Sequence, residues 1–227
     1  MINNNEANKE KSLCFLTVYI LIFFIVWVYY SLYFTNDLSS KFVLNILILN
    51  SIKYIVWTIP VFIILSNIYK VSPITYLKLN NNITRGLIYG VIFGFMIVLY
   101  HVIRNYIMGD GKFDFNIDLY TWIHRIILIG LTEEVVFRGF ILQKLQEEIR
   151  FRYANAISSI LFVLIHFPKW YESGMMSHEK IIFFMLSIVF TFAFGLFQGY
   201  ILKRSNSLWA CMIIHSFNNL ITTIIKV

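Results

Sequence analysis

The chain has 227 residues, of which 59% are hydrophobic and 14% charged. Soluble domains carry about 25% charged residues, so this composition excludes an ordinary soluble enzyme and describes a membrane protein. The formal charge of +7 is spread over short loops, which points to membrane orientation and to no nucleic-acid partner.

A polar N-terminal tail, residues 1–12, leads into the first apolar run. That run is too long for a signal-peptide core and has no small-residue cleavage site after it, so it reads as a retained spanning helix. A spanning helix needs roughly 20 residues. By that measure the chain offers about seven: Leu13–Phe34, Phe42–Tyr69, Gly86–Met108, Tyr120–Lys144, Tyr153–Phe167, Lys180–Leu202 and Ser207–Ile225. The second exceeds one span. The fifth is short, about 22 Å by helical rise, which suits either a central shielded helix or a locally thinned bilayer.

The fold expectation is an all-α, polytopic transmembrane helical bundle around an intramembrane polar cavity. Residues 1–227 form a single transmembrane domain. Lys9, Lys11, Lys70, Lys78, Arg85, Lys144, Arg150, Arg152, Lys203 and Arg204 fall on one side of such a bundle, whereas Asp110, Asp114 and Asp118 fall on the other. The positive-inside rule then makes this a multi-pass protein of the cytoplasmic membrane with its N-terminus in the cytoplasm. Gly86, Gly90 and Gly94, and again Gly195 and Gly199, repeat every four residues and predict close helix contacts. Cys14 and Cys211 both lie in apolar runs, so neither a disulfide framework nor a paired-cysteine zinc site is expected.

Against this apolar background, "GLTEEVVFRGF" (Gly130 to Phe140) sets three charges inside the fourth segment. Glu134 and Arg138 are one helical turn apart and can pair. Glu133 points roughly 100° away, so a structural ion pair accounts for its neighbours and leaves it unexplained. A carboxylate at that depth is protonated or kept for function. The fifth segment carries Phe162 and His166, and the seventh carries His215 and Asn219, each pair one turn apart. Counted from the cytoplasmic ends, Glu133 lies about 15 Å deep, His215 about 12 Å, Asn219 about 18 Å and His166 about 20 Å. The four groups can share a cavity. His101, Arg104, His124 and Arg125 fall near predicted outer helix ends and read as interfacial anchors, and Lys53 as a snorkelling residue.

A carboxylate beside an imidazole can activate water near neutral pH. A second imidazole and a carboxamide can hold the oxyanion formed when that water attacks a peptide carbonyl. The same residue types also suit zinc, with Glu133, His166 and His215 as the ligands available, although the HExxH signature is absent.

"EEVVFR", "FVLIH" and "HSFNN" match the EExxxR, FxxxH and HxxxN motifs of the CAAX protease and bacteriocin-processing (CPBP, Abi) family. This family of intramembrane endopeptidases includes the type II CAAX prenyl endopeptidases. The stretch "GLFQGYILKRSNSLWACMIIH" resembles the glycine-spaced helix and Ser-Leu-Trp turn before its final histidine, with Cys211 where many relatives carry proline. The resemblance covers residues 126–220, a CPBP-like catalytic core, and leaves the first three helices unmatched. It implies that Glu133 and His166 activate water, that His215 and Asn219 stabilise the oxyanion, and that Glu134, Arg138 and Phe162 support the site. No cofactor is favoured, since Asn219 serves better as an N–H donor than as a zinc ligand; zinc is the alternative. The expected partners are the lipid bilayer and a membrane-associated peptide or protein substrate, with bacteriocin or signal-peptide precursors favoured over prenylated proteins. A non-catalytic membrane partner, such as a bacteriocin self-immunity factor or a sensor-kinase regulator, is the rival reading. The sequence specifies no oligomeric state.

Overall fold

The computed structural model describes residues 4–34, 54–108 and 111–226. Helix α1 (Asn4–Tyr29) continues through a π-helical turn to Phe34, so the polar tail extends the first helix. Next come α2 (Tyr54–Ile68), a single turn at Pro73–Tyr76, and α3 (Ile83–Met108). Helix α4 spans 121–148, α5 is Phe151–Leu164, α6 is Phe167–Glu172, α7 is Ile181–Ser205 and α8 is Leu208–Ile224. The strands β1 (Lys112–Phe113) and β2 (Ile225–Lys226) form one antiparallel pair. The start of the expected second span, including Lys53, lies outside the described residues.

Among the described residues, four stretches are long and apolar enough to cross a membrane: Glu10–Tyr33, Ile83–Ile107, Phe151–Glu172 and His178–Ser205. The apolar helices Tyr54–Ile68 and Leu208–Ile224 are shorter. A helical membrane bundle fits this set, which supplies four of the seven spans expected by length and composition. The central position belongs to α4, not to the short fifth segment: every residue from 132 to 142 is buried, while α5 exposes Ile157, Ile160 and Leu164. Its charges make α4 less apolar than those four stretches, and the surrounding helices give the charges their environment.

Helix α4 is wound loosely over Thr121–Leu128 and Val135–Leu142, with the Ile129 N–H reaching back five residues to His124 O. Such π-helical turns often mark functional sites because they redirect side chains and free carbonyls. Here the Phe137 carbonyl accepts from Ser158 Oγ at 2.8 Å, which ties α4 to α5. Aromatic edges join α1 and α2 to the same helix: Tyr19 meets Phe140 at 5.1 Å, Phe23 meets Phe137 at 6.0 Å and Trp57 meets Phe137 at 6.1 Å.

In lipid, close packing and hydrogen bonds replace the hydrophobic drive between helices, so small residues decide where backbones approach. The α3 glycines face α8, and a Cβ at Gly90 would stand 2.7 Å from Ile213 Cβ. Gly199 admits Asn155 of α5, whose Nδ2 donates to Leu196 O at 2.9 Å. Both glycine repeats therefore act as close-contact faces.

Candidate active site

Helix α4 brings Glu133, Glu134 and Arg138 into the bundle, with relative exposures of 5%, 0% and 1%. Arg138 Nη1 lies 3.3 Å from Glu134 Oε1, the pairing expected from their spacing. The guanidinium also sits 4.1 Å from the centre of the Phe162 ring on α5. A weakly hydrated planar cation over an aromatic face keeps part of its stabilisation when water is excluded. Phe162 thus faces the buried guanidinium as well as filling the core.

Helix α8 delivers His215, which is 4% exposed. Its Nδ1 stands 2.7 Å from Glu134 Oε1, and its Nε2 is 3.7 Å from Glu133 Oε2. The carboxylate of Glu134 accepts, so Nδ1 carries the proton and Nε2 faces Glu133. A direct hydrogen bond to Glu133 is excluded at that length. Gly130 makes the approach possible, because a Cβ there would meet His215 Cβ at 3.3 Å. Phe162 and Phe194 close the imidazole between edges at 5.9 and 5.5 Å.

His166 stands where α5 gives way to α6. Its backbone N–H bonds Val163 O, three residues back, instead of continuing the α-helical pattern. Its own ring replaces the missing donor: Nδ1 lies 2.8 Å from Phe162 O. A carbonyl can only accept, so this contact puts the proton on Nδ1 and leaves Nε2 as the basic nitrogen of the neutral ring. The ring lies 5.0 Å from that of Phe162, which also meets Arg138 and His215. Glu133, Glu134, Arg138, Phe162, His166 and His215 are thereby one neighbourhood drawn from three helices.

Asn219 lies one turn beyond His215 on α8, and its Nδ2 donates to Arg125 O at 3.1 Å. Its amide is therefore engaged at the neighbouring end of α4, which runs antiparallel to α8. The adjacent Asn218 contacts His101 Nε2 at 3.0 Å on α3. His101 is 4% exposed, so it is a buried helix-to-helix contact and not the interfacial anchor expected from its position. His124 stacks on Tyr120 at 5.1 Å, which fits an aromatic helix end. Cys211 is tied to α7, since Gln198 Nε2 donates to Cys211 O at 2.9 Å and Cys211 Sγ approaches Gln198 O at 3.2 Å.

Among the described residues, no group of three or more His, Cys, Asp or Glu side chains is arranged to hold a metal ion. Two of the nitrogens that a Glu133–His166–His215 ligand set might use, both Nδ1 atoms, are committed to Phe162 O and Glu134. Each histidine still presents Nε2.

Residues 115–221 match the family model described as type II CAAX prenyl endopeptidase Rce1-like. The segment is thus similar to that family, over a little less than half of the chain. The match begins earlier than the core expected from residue 126 and takes in α4 to α7 and most of α8. It leaves α1, α2 and α3 outside. No curated protein and no solved structure gives a significant match to the chain. Rce1-like proteins are a protease family, which supports peptidase activity at that coarse level and a multi-pass membrane setting.

Proposed function

We propose that this protein is an intramembrane endopeptidase that hydrolyses a peptide bond of a membrane-associated peptide or protein. The observation that carries the reading is the buried cluster of Glu133, Glu134, Arg138 and His215 inside the Rce1-like segment. Two carboxylates and one guanidinium in a low-dielectric bundle are costly to maintain for packing alone.

In this reading Glu133 takes the proton from water as it attacks the scissile carbonyl, His166 Nε2 accepts the water's other hydrogen bond, and the proton on Glu133 passes to the departing amine. His215, held by Glu134, directs Nε2 toward the developing oxyanion, and in its charged form both ring nitrogens donate. Asn219 adds a second donor once its amide leaves Arg125 O for substrate. The Glu134–Arg138 pair fixes His215 and neutralises one of the two buried carboxylates. Water activation contributes typically 10²–10⁴-fold and an oxyanion donor 10²–10³-fold. The positive-inside pattern supports an N-terminus in the cytoplasm of a cell bounded by the cytoplasmic membrane.

Peptide profiles of cells carrying the native protein and Glu133→Gln test the function. Gln keeps the approximate shape and removes the ionisable carboxylate. A precursor that accumulates only with Glu133→Gln supports hydrolysis and identifies the substrate. Identical profiles, together with an unchanged phenotype, sink the enzyme reading and favour the non-catalytic membrane partner.

A further inference from the structure

Helix α1 lies outside the Rce1-like segment, yet one of its side chains reaches the helix break that carries His166. Trp27 Nε1 donates to Ile165 O at 2.8 Å. Ile165 O and the His166 N–H belong to one planar peptide group. The N–H end is tied to Val163 O at 3.0 Å and the carbonyl end to Trp27. Both ends of that plane are therefore held, and the plane fixes the direction in which the His166 side chain departs.

The local sequence explains why a donor from another helix is useful here. Pro168 has no N–H to offer the preceding turn, and His166 spends its own Nδ1 on Phe162 O. The regular helical ladder is thus interrupted on both sides of Ile165. The indole is itself held: Trp57 packs against it at 4.8 Å and 83°, and Tyr30 stacks on it at 5.8 Å. Trp57 continues to Phe137, and Phe137 to Phe162 at 5.4 Å, so the ring cluster is continuous with the site.

We propose that Trp27 is a positioning residue for His166: its indole N–H holds the Ile165–His166 peptide and so sets where the imidazole stands. The catalytic consequence rests on the peptidase reading above; the effect on the ring does not. A helix unmatched by the family segment would thereby complete the site.

Ring-¹⁵N-histidine spectra of the full chain in detergent micelles test the positioning directly, with the His166 signals assigned by their loss in His166→Asn. In the native protein His166 should show the Nδ1–H tautomer. Trp27→Phe, which keeps an aromatic ring and removes the donor, should give a mixture of tautomers, whereas Trp209→Phe, which removes an indole donor bonded to Leu79 O at 2.8 Å, should leave the native pattern. Turnover on the substrate found with Glu133→Gln should fall about tenfold or more for Trp27→Phe at unchanged KM, since small misplacements of catalytic groups are costly. If Trp27→Phe does not accumulate, benzothienylalanine at position 27 makes the same comparison by exchanging N–H for sulfur at equal ring size. Native His166 signals in the donor-less variant, or an equal disturbance by Trp209→Phe, overturn the proposal. Should the native protein hydrolyse nothing, the peptidase reading fails while the spectra still decide the role of Trp27.

Discussion

His215 takes Glu134, not Glu133, as its close carboxylate partner: Nδ1 lies 2.7 Å from Glu134 Oε1, while Nε2 lies 3.7 Å from Glu133 Oε2. Adjacent glutamates thus divide the work, one holding the imidazole and the other facing its second nitrogen. Glu134 also receives Arg138 on the same oxygen. The consequences differ for each member of the group.

Glu134→Gln should damage stability as well as activity, because Arg138 then loses its paired charge in a buried site. Breaking a buried pair in this way costs about 3–5 kcal/mol. Glu133→Gln should leave the unfolding midpoint close to native and lower kcat by roughly 10²-fold or more. Thermal unfolding in detergent alongside turnover separates the two; equal destabilisation by both variants would contradict this division.

Arg138→Ala should destabilise the protein by about 3–5 kcal/mol by leaving Glu134 uncompensated. Arg138→Lys should recover little of that loss, since an ammonium lacks the flat face that Arg138 lays over Phe162 at 4.1 Å. Chemical denaturation of the detergent-solubilised variants measures both effects. A fully stable, active Arg138→Ala protein would show that the ion pair supports nothing.

Gly199→Ala should loosen the contact between α5 and α7, because the added Cβ meets the Asn155 side-chain amide well inside van der Waals distance. Overpacking of this kind costs typically 1–3 kcal/mol. Asn155→Ala in the same background removes the clashing amide and should restore part of the loss. A double-mutant cycle on thermal stability reads the coupling, and strictly additive effects would rule out a direct clash.

The proposed reaction uses Asn219 as an N–H donor, so Asn219→Ala should lower kcat by roughly 10²-fold with little change in KM. A larger effect on KM than on kcat would make Asn219 a substrate-binding residue.

Metal dependence is decided by chelation. The proposed mechanism predicts activity retained after treatment with a strong chelator, with no stoichiometric zinc by elemental analysis. Zinc at one equivalent, with activity lost on its removal and restored on its return, would replace water activation by Glu133 and His166 with a metal mechanism and leave the peptidase assignment in place.

The sequence by itself determined the features that depend on short-range spacing and on the cost of charge in lipid. Glu134 and Arg138 had to pair because they are one turn apart in an apolar helix, and the glycine repeats had to mark close helix faces. Three motifs in order were legible for the same reason: each lies within a single helical segment. Only the tertiary structure decided which helix is central, because enclosure of α4 depends on neighbours from both ends of the chain. It also decided that His215 takes Glu134, since Glu133 and Glu134 differ by only about 100° around one helix and the rotation of α8 selects between them. The same nonlocal packing sends Asn219 to Arg125 O, buries His101 against Asn218, and carries Trp27 to Ile165 across 138 residues of sequence. No local periodicity encodes these contacts. They follow from how helices that meet at small residues settle against one another, and from the need of each buried polar group for a partner in lipid.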